Sequence, residues 1–223
     1  MRIAVGIEYD GGAFAGWQSQ AHATGVQSAV EAALSAVADE PLSVQCAGRT
    51  DAGVHAVCQV AHFDTTRERS MRAWTLGANS HLPRQVSIRW AHEVDQGFHA
   101  RFSADARRYA YLILNRQTRA GLWQGRVAWE YRPLDAERMA EAGASLLGEH
   151  DFSSFRAAGC QAKHPRRTLH ALTVVRRGDL VTVEVEANAF LQHMVRNIVG
   201  VLLSIGTGER DIAWAAEVLA ARD

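Results

Sequence analysis

No stretch of the 223-residue sequence approaches the roughly 20 consecutive apolar residues that a membrane-spanning helix requires. The N-terminal MRIAVGIEYDGG has too short an apolar segment, and no small-residue cleavage site, to read as a secretory signal. Cysteine is scarce. Cys46, Cys58 and Cys160 form an odd, widely spaced set, which argues for reduced thiols and a cytoplasmic location. Lysine is almost absent, because every basic residue except Lys163 is arginine. Net charge is zero, so the average composition carries no sign of a polyanionic partner.

What remains is 48% hydrophobic and 22% charged, the balance of a globular protein of one or two domains with ample material for a core. The zero net charge hides an asymmetry. Residues 101–177 hold fourteen Lys and Arg against seven Asp and Glu, and the rest of the chain holds ten against seventeen. A general bias toward Arg and Ala accounts for part of this, yet a guanidinium can fork onto a phosphate whatever put it there.

Ile3, Val5, Ile7 and Tyr9 alternate along RIAVGIEY, a strand signal that DGG at 10–12 ends. Thr24 and Gln27 have the spacing of a capping box ahead of Val26, Val30, Ala33, Leu34 and Val37 at helical intervals. Pro41 separates this helix from a strand in LSVQCA. AVCQVAHF reads as another strand, 71–80 as a helix and 86–94 as a strand. The first hundred residues thus run β-α-β-loop-β-α-β. A second series follows. RRYAYLIL at 107–114 is a strand, and Asp135 caps a helix to about Leu147, closed by Gly148. LHALTVVRR and LVTVEVEAN flank a Gly178-Asp179 turn as a hairpin, 190–206 is an apolar helix, and a last helix fills 211–221. Two successive mixed series, 1–100 and 101–223, predict an α+β fold of two related halves.

CAGRTDAGVHAVCQVAHF at 46–63 gathers the chemistry. Zinc on Cys46, His55, Cys58 and His62 lacks the close ligand pairs of a structural site. A phosphate-binding loop would open onto a helix and carry a lysine, and this one opens onto a strand without one. Asp51 remains, with Arg49 two residues away and Gly48 and Gly53 to let the backbone turn or approach closely. A nearby cation favours the ionised carboxylate, the form that acts as nucleophile or base. An Asp that merely caps a turn has the same local sequence. Arg196, inside the apolar FLQHMVRNIVG, needs a partner for a buried charge, unless its side chain snorkels to the surface or holds a structural pair. Tyr109 and Tyr111 share one face of their strand behind Arg101, Arg107 and Arg108, which suits either base stacking or core packing.

AGRTDAGVHA, ARRYAYLI and NAFLQHMVRNIVG together resemble the TruA-type tRNA pseudouridine synthases. IEYDGGAFAGWQ, GVQSAVEAAL, ANSHLP, FHARFSA and DFSSF are similar to that family too, in order along the chain. The resemblance implies a mainly antiparallel mixed sheet flanked by helices, and a homodimer whose tRNA crosses both subunits. It implies isomerisation of uridine to pseudouridine at positions 38–40 of the tRNA anticodon stem-loop, without cofactor or metal. By the same likeness Asp51 is the catalytic carboxylate, Tyr109 stacks on the target base and assists proton removal, and Arg196 pairs with the Asp. Arg49 helps turn the uridine out of its stem. Arg101, Arg107, Arg108, Lys163, Arg166 and Arg167 contact the RNA. Family members continue beyond the position of Asp223 into a segment that ends in a strand and places an apolar residue beside the base. A catalytically impaired RNA-binding or chaperone protein is the alternative if that segment is missing.

Overall fold

The computed structural model describes residues 1–19 and 24–223, which divide into two units, Met1–Ala104 and Asp105–Asp223. In the first, β1 (Arg2–Tyr9), β2 (Gln45–Cys46), β3 (Ala56–Asp64) and β4 (Val86–Val94) form an antiparallel sheet in the order β2-β3-β1-β4. Ile3, Val5, Ile7 and Tyr9 are all buried, as their alternation predicts. They meet Val26, Val30, Ala33 and Leu34 of α1 (Val26–Ala38) in one core. Burying each such aliphatic side chain contributes about 1.5–3 kcal/mol. The helix expected at 71–80 forms, with a wide π-turn at Ala73–Gly77 that carries the buried Trp74 edge-on to Phe63.

The start of α1 differs from the sequence expectation. Its cap is Gly25, not Thr24, and no side chain caps it. The Val26 and Gln27 amides donate to the carbonyls of Gly16 and Trp17 at 3.1 and 2.9 Å, so backbone from the preceding loop satisfies the exposed donors. Gln27 turns away to Glu31. A Cβ on residue 25 would stand 2.6 Å from the Gln18 carbon and the Ser19 nitrogen, and only glycine permits that approach.

The second unit builds a five-stranded sheet, β6-β5-β9-β8-β7, from β5 (Arg107–Asn115), β6 (Ala128–Glu130), β7 (Gly148–Asp151), β8 (Arg166–Arg177) and β9 (Leu180–Ala187). All pairs are antiparallel except β5 with β6. α2 (Ala136–Ala144), α3 (Met194–Gly206) and α4 (Trp214–Ala221) supply Met139, Ile198, Leu202 and Leu219 to its core. Asp135 caps α2 through the Glu137 and Arg138 amides, as expected. The helix ends at Ala144 rather than near Leu147, and Gly148, at φ +98°, opens β7. The last helix likewise begins at Trp214, three residues later than expected. β2 is a two-residue remnant of the strand expected over 42–47.

Beneath the turn 95–103, His62 is buried on the face of β3 opposite Phe63. Burial, with His99 and Arg2 close by, pushes its pKa below the usual imidazole value, against a smaller opposing effect of Asp64. The unfolded chain takes this proton near the ordinary value and the folded chain resists it. Stability is therefore fully present above that value and falls as pH drops below it. Thermal melts are expected to show a lower Tm at about pH 5.5 than at about pH 7.5, with a shallower dependence in His62→Gln. An unchanged pH dependence in that variant contradicts the assignment.

Candidate active site

The loop between β2 and β3 carries Arg49 and Asp51, both exposed. It is held from below by the segment that follows β1. Trp17 donates its amide to the Thr50 carbonyl at 2.9 Å, and the Tyr9 phenol bonds the Thr50 hydroxyl at 2.8 Å. The buried Gln59 side-chain amide donates to the Gly48 carbonyl at 2.5 Å. His55 Nδ1 stands 3.0 Å from Asp10 Oδ1 and 3.2 Å from the Gly11 amide. The Asp51 carbonyl accepts the Val54 amide at 3.2 Å, closing a tight turn with Gly53 at φ +77°. Gly16, at φ +102°, lies so close that a Cβ there would stand 2.8 Å from the Thr50 carbonyl oxygen. The result is a carboxylate and a guanidinium displayed on a loop tied through the backbone at Gly48, Thr50 and Asp51 and through the His55 side chain. Positioning of this kind, rather than burial, is what the site offers, and rigid placement is what lowers a reaction barrier.

Tyr9, Gln59 and His55 hold the loop, a role that sequence reasoning did not assign to them, since it weighed His55 only as a zinc ligand and Tyr9 only as a strand residue. For Tyr9 and Gln59 the signal was a polar or hydroxylated side chain at an inward strand position, which period-2 reading assigns to the core, whereas His55 lies in the loop just before β3. Burial also raises the Tyr9 pKa, so its phenol remains a neutral hydrogen-bonding group.

Cys46, His55, Cys58 and His62 have separate surroundings. Cys46 is half-buried, its thiol pushed up to about 11 by desolvation, and Cys58 is exposed rather than packed. His62 Nδ1 accepts the Ala100 amide at 3.2 Å.

In the second unit, Tyr109 and Tyr111 lie half-buried on one face of β5, against the core. Tyr109 meets Phe190 edge-on, with ring centroids 5.1 Å apart. Arg196 is exposed, and this corrects the expectation of a charge buried in mid-helix. The 190–206 helix begins only at Met194, after His193 in a left-handed conformation (φ 61°), so Arg196 occupies the first turn. A cation there faces the positive end of the helix dipole and gains nothing from it. The position is unfavourable for the helix and open to an anion.

The basic residues differ in how committed they are. Arg108 pairs with Glu186 at 3.1 Å, and Arg107 donates to the Asn188 carbonyl at 2.7 Å. Lys163 is exposed, and Arg166 lies 3.6 Å from Glu149. Arg167 folds back onto the carbonyls of His164 and Arg166 at 3.0 and 2.6 Å, so much of its guanidinium shapes the 163–167 loop. Arg166 and Arg167, with Glu149, His164, Thr168 and Asn188, line a groove of about 380 Å³. Arg101 stands over the Phe102 ring.

In the first unit an exposed carboxylate and arginine share a pinned loop, and the second unit is rich in exposed arginine, a surface suited to a polyanion. A family profile described as tRNA pseudouridine synthase matches residues 6–103 and 142–223. The chain is 58% identical over 223 residues to tRNA pseudouridine synthase A of Methylococcus capsulatus, covering all of this chain and 82% of the relative. It is 57% identical to the protein of the same name from Nitrosococcus oceani, and 53% to that of Legionella pneumophila, covering 86% and 85% of them. The chain belongs to the tRNA pseudouridine synthase family. Its mainly antiparallel sheets flanked by helices are those of the pseudouridine synthase fold. Among the described residues no helix is long and apolar enough to cross a membrane.

Proposed function

We propose that the protein is an isomerase that converts uridine to pseudouridine in tRNA, at positions 38–40 of the anticodon stem-loop, with Asp51 as its catalytic carboxylate. The observation that carries the reading is the 47–55 loop, whose backbone ties display Asp51 and Arg49 together in a chain of this family. Asp51 forms a covalent adduct with the target nucleotide, at the sugar C1′ or on the uracil ring. That bond breaks again to return the free carboxylate before the product leaves. The bond from C1′ to N1 breaks, the uracil turns, and a bond from C1′ to C5 forms. C5 loses a proton and N1 gains one, so the atoms balance without an oxidant, reductant or group donor. Tyr109 stacks on the uracil and assists removal of the C5 proton. Arg196 supplies the counter-charge that keeps the carboxylate ionised, consistent with its place at a helix start where an anion is welcome.

Turning the uridine out of its stem costs a few kcal/mol of stacking, which Arg49 and Tyr109 offset. Arg101, Arg107, Arg108, Lys163, Arg166 and Arg167 contact tRNA phosphates, chiefly by charge and shape. The N-terminal half, 1–100, brings the Asp loop, and the C-terminal half, 101–223, brings Tyr109 and Arg196. The protein works in the cytoplasm as a homodimer.

The test is release of tritium from tRNA carrying it at uracil C5, because the label leaves only when the carbon–carbon bond has formed. Release from unmodified tRNA, with pseudouridine mapped to positions 38–40, is expected. Tight tRNA binding with no release points to an RNA-binding or chaperone role instead.

A further inference from the structure

The turn at 98–103 is built to hold one aromatic ring outside the protein. Phe102 is 76% exposed. Its ring stacks on His99, with centroids 4.3 Å apart and planes at 34°. His99 in turn meets the buried His62 at 4.7 Å, and His62 meets Phe98 at 6.0 Å. Four rings thus form a column rooted in the sheet and ending at the surface.

Polar contacts fix the column. His99 Nδ1 accepts the amides of Arg101 and Phe102, and its Nε2 bonds Gln45 Oε1 at 2.7 Å. The Ser103 amide donates to the His99 carbonyl at 2.7 Å, and its hydroxyl accepts the His99 amide at 3.0 Å. Arg2 forks onto Asp64 and reaches the carbonyls of Gln96 and Phe98. A single exposed phenylalanine is ordinary. One seated on the hydrogen-bonded His99 ring, at the end of a chain of four aromatic rings, is not.

The Arg101 guanidinium lies over the same ring, 5.7 Å from its centroid. Such a contact is weak at an exposed site, and the long side chain can give way to a base and follow it to its phosphate. Ring and cation at one point match an unpaired nucleotide, with a π-face to stack and a phosphate beside it.

We infer that Phe102 is a stacking platform for an unpaired nucleobase of the bound RNA, with Arg101 on the adjoining phosphate, at a place other than the reacting uridine. The inference rests on the tRNA reading above and adds a second grip on the same molecule. A second copy of the chain is the competing occupant, but the cation at the rim favours a polyanion.

The test measures tRNA affinity and single-turnover tritium release for wild type, Phe102→Ala, Phe102→Leu and Phe102→Trp. Phe102→Ala is expected to weaken binding roughly 10- to 100-fold, with the rate at saturating tRNA near wild type. Phe102→Leu should be as weak as Phe102→Ala, since it keeps apolar volume and loses the ring, and Phe102→Trp should restore affinity. The loss should persist at raised salt, whereas Arg101→Gln should lower the salt slope by about one. Wild-type affinity in Phe102→Ala overturns the inference and leaves the proposed function standing. Full affinity in Phe102→Leu, or a loss explained by a changed oligomeric state in sedimentation, overturns it in favour of a protein contact. A wild-type protein that binds no tRNA overturns both.

Discussion

Asp51→Asn and Asp51→Ala are expected to lower the rate of pseudouridine formation by about 10⁴-fold or more, with tRNA affinity close to wild type. The structure makes this a clean experiment. Asp51 is exposed, and the loop is tied through its backbone. The Asp51 carbonyl accepts from Val54, and the neighbouring Thr50 carbonyl accepts from Trp17. Substituting the carboxylate leaves these backbone bonds in place. Asparagine keeps the shape and cannot act as an anionic nucleophile, so it separates charge from volume. Single-turnover tritium release and filter-binding affinity, measured side by side, decide the matter. Turnover near the wild-type rate in either variant removes Asp51 from the mechanism.

The second large effect is expected at a residue with no side chain. A Cβ on Gly11 would stand 2.0 Å from the Val54 carbonyl oxygen and 2.6 Å from its carbon. Both are backbone atoms of the Asp51 loop, so Gly11→Ala must push that loop outward by more than an ångström to reach an ordinary contact. Misplacing a reacting group by this much costs on the order of 100-fold in rate. Forced overpacking also costs about 1–3 kcal/mol of stability. The expected result is a variant that folds with a lower Tm, binds tRNA, and turns over about two orders of magnitude more slowly. Gly200→Ala is the control, because it lies exposed in α3 with nothing within 4 Å of its added carbon, and should slightly stabilise the helix. Equal rates in Gly11→Ala and wild type would show that the close approach does not position Asp51.

The elements that were legible in the sequence are those whose own residues carry the pattern. β1, β3, β4, β5 and β9 each appear within about a residue of where the sequence pattern places them, while β8 begins at Arg166, three residues before the expected Leu169. The Gly178-Asp179 turn and the Asp135 cap are equally local, since a backbone twist and an amide two or three residues away decide them. β6 and β7 have three and four residues and little alternation. They exist because longer neighbours offer hydrogen-bonding edges.

The helix starts show the same division. Thr24 and Gln27 have capping-box spacing, yet the carbonyls of Gly16 and Trp17 take the donors that Thr24 would have satisfied. Arg196 looked buried because its neighbours are apolar, and it is exposed because His193 delays the helix to Met194. No buried charge stands there to demand a partner, and the likeness of Arg196 to the family's arginine rests on FLQHMVRNIVG alone.

By itself the sequence determined the fold class, the family, the strand positions and the candidacy of Asp51, because side-chain type and spacing suffice for all of these. Only the tertiary structure decided what holds the Asp51 loop, where α1 and α3 begin, which cysteine is exposed, and that Phe102 ends a column of four rings. Each of these depends on backbone or rings brought together from distant segments, and no local pattern encodes a partner forty residues away.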